Sequence, residues 1–122
     1  MSRVIHFEFS ADNPEKSVLF YQSVFGWNIK KWDESVDYWL VSTGDEDTPG
    51  INGAIKHRIT KDQPTVVTID VHSIDEILTR ITTEGGTVLM EKTSIPGIGF
   101  NAYAKDPEGN IFGIMEREET DF

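Results

Sequence analysis

The sequence predicts an α+β fold of two tandem units, each running strand, helix, strand, strand, strand. Three observations predict it. First, Val4-Ile5-His6-Phe7-Glu8-Phe9-Ser10 alternates in character. Strand side chains point by turns to opposite faces, so Ile5, Phe7 and Phe9 line a core face, and Val4, His6, Glu8 and Ser10 line a mixed one. Second, the pattern returns sixty residues later as Val66-Val67-Thr68-Ile69-Asp70-Val71. Here Val67, Ile69 and Val71 repeat the core face, and Val66, Thr68 and Asp70 repeat the mixed one. Third, Pro14 with Ile74, Gly26 with Gly86 and Gly53 with Gly113 share the same offset, as a duplicated unit requires. A polar strand face ordinarily meets water; in a cleft it becomes the wall that meets a ligand.

In chain order, Asp12 or Asn13 caps a first helix that Pro14 opens. Val18, Leu19, Tyr21, Gln22 and Phe25 follow at helical spacing, and Gly26 ends it. Trp27 to Trp32 alternates as a strand, Asp33 to Asp37 is a polar turn, and Tyr38 to Ser42 is a further strand. Gly44 to Gly50 is a loop rich in acids and turn formers. Ile51 to Ile55 closes the first half, and Lys61-Asp62-Gln63-Pro64 connects it to the second. There, Thr65 to Val71 is a strand, and Ser73 or Asp75 starts a helix carrying Ile74, Ile77, Leu78 and Ile81 that Gly85-Gly86 ends. Thr87 to Glu91 is a strand, Ser94 to Gly97 a loop, Phe100 to Ala104 a strand, Asp106 to Gly109 a turn, and Ile111 to Glu116 the last strand. The organisation expected is one domain, with module one over 1–60, module two over 62–117 and an acidic tail over 118–122.

Composition bounds the function. At 122 residues the chain can bury a core without staples. The absence of Cys excludes disulfides, thiolate nucleophiles and Cys-ligated zinc, and fits a reducing compartment. With no apolar run after Met1 of signal or membrane-spanning type, the expected location is the cytoplasm. A net charge of −10 with no basic stripe repels phosphate backbones, so neither nucleic acid nor a membrane is an expected partner. Gly97-Ile98-Gly99 fits a loose dinucleotide fingerprint but precedes a strand instead of opening a helix, so it fails the context that motif needs. No nucleophile elbow exists for Ser–His–Asp hydrolysis.

The opening Val4 to Phe9, leading into Pro14-Glu15, Phe20-Tyr21 and Phe25-Gly26-Trp27, together with the late Asp106-Pro107-Glu108-Gly109-Asn110 turn, resembles the vicinal oxygen chelate superfamily. That group holds glyoxalase I, extradiol dioxygenases, fosfomycin-resistance enzymes and bleomycin-binding proteins. Ile51-Asn52-Gly53-Ala54 and Asn110 to Met115 look like its small, largely uncharacterised glyoxalase-like members. The resemblance implies two βαβββ modules forming a cupped eight-stranded mixed sheet, with the ligand inside the cup and helices outside. It also implies four metal-ligand positions, which fall on His6, Gly53, Val66 and Gly113. Three of the four lack a donor atom, and tight binding of a divalent ion needs at least three side-chain ligands. No cofactor is therefore expected. A weak His6–Glu8 metal pair, with Asp70 across the sheet, is the lesser alternative. Glu116 differs from Gly113 in parity and should face the other way.

The candidate functional end is His6 with Glu8, opposite Thr68 and Asp70. Two carboxylates near one imidazole favour its charged form, giving a cationic anchor or a general acid. On the last strand Ile111, Gly113 and Met115 face the cup, and Phe112 and Ile114 face the helix. Gly53 and Gly113 are expected to leave the centre of the cup open, with Val66 at its wall, which suits an apolar or aromatic ligand. Trp39, Phe100 and Tyr103 are each open between core, cavity wall and subunit interface, with core the default. His57 and His72 fall in polar turn segments and are expected in solvent.

The function expected is a small-molecule-binding protein or a metal-independent enzyme, working as a homodimer whose sheet edges are covered. The alternatives are a metal-dependent lyase, isomerase or dioxygenase of glyoxalase type, and a ligand-free structural or regulatory dimer. The fold alone does not make the chain an enzyme.

Overall fold

The computed structural model describes residues 2–58, 62 and 64–118. Residue 1 and residues 59–60 of module one, 61 and 63 of the expected connector, and 119–122 of the expected tail lie outside the described residues. Eight strands and two helices follow in the predicted order, with parallel and antiparallel pairs in each half, so the architecture is a mixed α+β one. Two compact units make up the chain, residues 6–66 and residues 1–5 with 67–122. No helix among the described residues is long and apolar enough to cross a membrane.

In the first unit, β1 (Arg3–Ala11) leads to α1 (Pro14–Phe25), then β2 (Asn28–Asp33), β3 (Val36–Ser42) and β4 (Asn52–His57). The spatial order is β2-β3-β4-β1. β2 and β3, and β3 and β4, pair antiparallel, and β4 returns parallel to β1 with His6 opposite Asn52. Asn13 caps α1 by accepting from the Lys16 amide, Pro14 sits in its first turn, and Gly26 takes the left-handed conformation at its end. Ile29, Trp39, Val41 and Ile55 form the core, with Phe7, Phe9, Val18, Tyr21 and Trp27 packed on it. Trp39 is therefore core, and its ring faces the helix. Ile55 is fully buried, a contribution of ~1.5–3 kcal/mol.

In the second unit, β5 (Val66–Asp70), α2 (Ile74–Thr83), β6 (Thr87–Ile95), β7 (Gly99–Lys105) and β8 (Ile111–Arg117) repeat the plan. Their order is β5-β8-β7-β6, with β5 parallel to β8 and the other pairs antiparallel. Val71, Ile74, Ala102 and Ile114 form this core, with Ile77, Leu78, Ile81, Phe100 and Phe112 against it. Phe112 and Ile114 thus face the helix as predicted, and Phe100 joins them. The strand predicted to stop at Glu91 runs on to Ile95. Its far end pairs with β7, Ser94 opposite Phe100 and Ile95 opposite Gly99, so only the residues around Pro96 and Gly97 make the turn. Cross-strand hydrogen bonds there override the polar, turn-like composition.

Candidate functional site

The mixed face of the first unit is a grid of side chains fixed by register. One row is Asn28, Ser42, Asn52 and His6; the next is Lys30, Leu40, Ala54 and Glu8; the third is Tyr38, Lys56 and Ser10, with the Trp32 ring beside Tyr38. The apolar core occupies the other face of the same strands, because side chains alternate. A cleft of about 400 Å³ lies over the first two rows, lined by His6, Asn28, Lys30, Leu40, Ser42 and Asn52 with the backbone of Val41 and Gly53.

A hydrogen-bonded chain leads away from His6, its one member that lines the cleft. The Tyr38 hydroxyl donates to Glu8 Oε2 at 3.1 Å, and His6 Nε2 lies 3.3 Å from the same hydroxyl oxygen. Tyr38 has one hydrogen, and Glu8 takes it, so His6 Nε2–H is the donor to Tyr38. That assigns the neutral ring its tautomer and leaves Nδ1 as a bare acceptor. The other Glu8 oxygen lies 3.6 Å from Lys56 Nζ, and both side chains are largely buried. Glu8 is only 6% exposed, and a carboxylate that far from water is tolerated because it is paired and hydrogen-bonded. Trp32 meets the Tyr38 ring edge-on at 5.8 Å and holds it in place.

Burial lowers the His6 pKa below its ordinary 6.5, and the Glu8 carboxylate, pulling upward, does not offset it. The expectation of a charged His6 is therefore corrected: the ring is neutral near pH 7. The second carboxylate invoked for it, Asp70, is held by Arg117 in its own unit through two contacts of 2.7 and 3.2 Å. Burial, with the Glu8 charge and hydrogen bond adding to it, raises the Tyr38 pKa far above its ordinary value, so Tyr38 stays protonated.

Gly53 does not face the cleft as its expected equivalence to Gly113 requires. Glu8 stands opposite Ala54 in the first unit and Thr68 opposite Gly113 in the second. The offset is sixty between Glu8 and Thr68 but fifty-nine between Ala54 and Gly113, and a one-residue slip in a strand reverses the face. A Cβ at Gly53 would lie 2.5 Å from the Phe7 carbonyl oxygen and 2.6 Å from its ring, on the helix side. Nor is Gly113 open. A Cβ there would lie 3.2 Å from both Tyr103 Cε1 and Thr68 Oγ1, so Tyr103 lies against it on the mixed face of the second unit. Thr68 is buried beside Gly113, Asp70 stands opposite Met115, and Ile111 is half-buried two residues before Gly113. Val66 is buried at the start of β5.

The family's metal positions therefore become His6, Ala54, Val66 and Gly113, and the last three carry no donor. Among the described residues, no three His, Asp or Glu side chains converge. Glu116 turns to the helix side as its parity predicts, where its carboxylate accepts from the Ile74 amide at 2.9 Å. These residues do not fit a divalent ion. His57 and His72 are exposed.

Sequence reasoning missed Tyr38 and Lys56. Alternation along Tyr38-Trp39-Leu40-Val41-Ser42 already places Tyr38 opposite in face to the core residues Trp39 and Val41. Lys56 was lost because the strand was expected to end one residue earlier.

Similarity to known proteins agrees with this architecture. No curated protein matches the chain. A hypothetical protein of Bacillus halodurans superposes with a TM-score of 0.69 at 12% identity, covering 99% of this chain and 98% of that one. A glyoxalase/bleomycin resistance protein/dioxygenase superfamily member from Vibrio splendidus gives 0.68 at 15% identity, over 95% and 99% of the two chains. Methylmalonyl-CoA epimerase from Mycobacterium tuberculosis gives 0.68 at 9% identity, over 95% and 88%. At such identities these structures share the fold alone. The sequence profile of the Glyoxalase/Bleomycin resistance protein/Dioxygenase superfamily matches residues 3–114, and the chain belongs to that superfamily.

Proposed function

We propose that the chain binds a small organic molecule in the cleft of its first unit and moves a proton on it through His6, without a metal. The observation that carries this reading is that His6, which lines a cleft of about 400 Å³, is backed by a Tyr38–Glu8–Lys56 chain. A site of that size suits a small ligand. His6 donates through Nε2 to Tyr38 and keeps Nδ1 as a lone-pair acceptor. A proton taken up at Nδ1 turns the ring into an imidazolium, and the Tyr38–Glu8 arm steadies that charge. Lys56 in turn holds Glu8 in place. The ligand set supports the metal-free reading: of the four positions where relatives would hold an ion, only His6 carries a donor here. The absence of Cys supports a cytoplasmic location.

Thermal-shift screening of a metabolite library against the wild type and His6→Gln tests the proposal, since a ligand that binds the folded state raises the melting temperature. His6→Gln should fold and lose at least about tenfold in affinity for whatever the screen finds, some 1.4 kcal/mol. A variant that melts normally and binds at full strength removes His6 from the site. Elemental analysis finding one zinc, nickel, iron or manganese per chain after mild dialysis would sink the metal-free part. Pairing of two copies belongs to the same proposal. The large apolar residues Leu19, Phe20, Val24 and Phe25 exposed on α1 support it, and a scattering mass near 13.8 kDa at micromolar concentration would reject it.

A further inference from the structure

The geometry points to a small organic anion as the ligand of this cleft, its oxyanion held by Lys30 with Asn28 and Asn52 and its apolar body laid on Leu40. The inference rests on the cleft being the ligand site and specifies what it recognises. The charged side chain on its wall is a cation, in a chain of net charge −10. The next residue in sequence, Lys31, turns to the other face of the sheet, where it sits over Trp39 and lies 3.7 Å from Asp37. Lys30 has no acidic partner among the described residues, whereas the buried Glu8 nearby has Lys56. Ion-pair accounting therefore leaves the cleft with one uncompensated positive charge.

The neutral amides beside it can donate. The Asn52 carbonyl oxygen accepts from the Thr43 amide at 3.0 Å, which turns it toward the Thr43 backbone. The Asn52 NH₂ group makes no bond within the described residues and can donate to a ligand. Asn28 stands in the same row, beside Ser42. An ammonium and amide N–H groups lining one cleft can recognise a carboxylate or a comparable oxyanion, because hydrogen bonds with an ionised partner are roughly twice as strong as neutral ones. Leu40, in register with Lys30, is 44% exposed and supplies the apolar surface on which a hydrocarbon body is buried. His6, at the far end of the Asn52 row, lines the same cleft.

Three probes of one shape and different charge test this: phenylacetate, neutral phenylacetamide and cationic phenethylamine. Each is titrated into the ¹⁵N-labelled protein and followed by amide shifts. Phenylacetate should move the amides of Lys30, Leu40, Ser42 and Asn52, bind at least about tenfold more tightly than phenylacetamide, and weaken with added salt. Lys30→Gln should remove that preference while leaving phenylacetamide binding unchanged, and Lys30→Arg should retain most of it. If the amide or the amine binds at these same residues as tightly as the acid, the anion inference fails and the cleft stands as the ligand site. If none of the three moves these amides, the cleft reading fails and the inference falls with it.

Discussion

A single hydrogen in place of a methyl group decides how β4 lies on β1. At Gly53 an added Cβ would press on the Phe7 carbonyl oxygen at 2.5 Å and on its ring. The oxygen is backbone and cannot yield without disturbing the β1–β4 pairing that sets the His6–Asn52 row. Gly53→Ala should therefore cost ~1–3 kcal/mol, read from the urea midpoint. Gly113→Ala should cost less, because what it meets at 3.2 Å, a tyrosine ring edge and a hydroxyl, are side-chain atoms able to shift. Equal stability of Gly53→Ala and the wild type would show that the close approach does not matter. Both glycines stood out in the sequence by their shared offset, yet their roles did not. A one-residue slip between two strand pairs leaves the motifs intact and turns one of the two side chains around.

At the scale of elements, the start of α2 has two caps from different places. The Ser73 hydroxyl accepts from the Glu76 amide at 3.3 Å, and the Glu116 carboxylate reaches from β8 to the Ile74 amide. The first cap is local and was legible as Ser73 before an apolar helical run. The second joins residues far apart in sequence, so only the strand's parity hinted at it. Glu116→Gln keeps an acceptor but removes the negative charge beside the helix N-terminus, at an expected ~0.3–1 kcal/mol. Glu116→Ala removes both and should lose more, about 1–2 kcal/mol. Denaturant midpoints for the pair check this, and two variants as stable as the wild type would leave the cap without weight. Other elements divided along the same line. Asn13, Pro14, Gly26 and Gly86 marked α1 and the end of α2 from nearby residues alone. The far half of β6 was invisible because its partner in β7, not its composition, makes it a strand.

For the molecule as a whole, acid sensitivity follows from groups whose ionisation the fold shifts. His6 binds its proton less readily when folded than its ordinary 6.5. The unfolded chain therefore takes up more protons as pH falls through that value, and stability drops from about pH 6.5 downward. His6→Gln should flatten this part of the profile, measured as the urea midpoint between pH 7.5 and 5.5; a variant that tracks the wild type throughout would show that His6 is not the group responsible. Asp33 and Asp106 have lowered pKa values, Asp33 through Ser35 and Asp106 through Asn110 first. Their contribution is present above their ordinary 3.8 and disappears on further acidification. The duplicated halves have meanwhile diverged: one keeps a polar floor with a histidine, and the other sets Tyr103 against Gly113. That arrangement orders any path to a metal centre there. A lineage placing a carboxylate at position 113 while the tyrosine remains would meet its ring first, and one shrinking the tyrosine first would open a hole with nothing to fill it. Neither first step is rewarded, so a metal centre at this position is hard to reach by single substitutions.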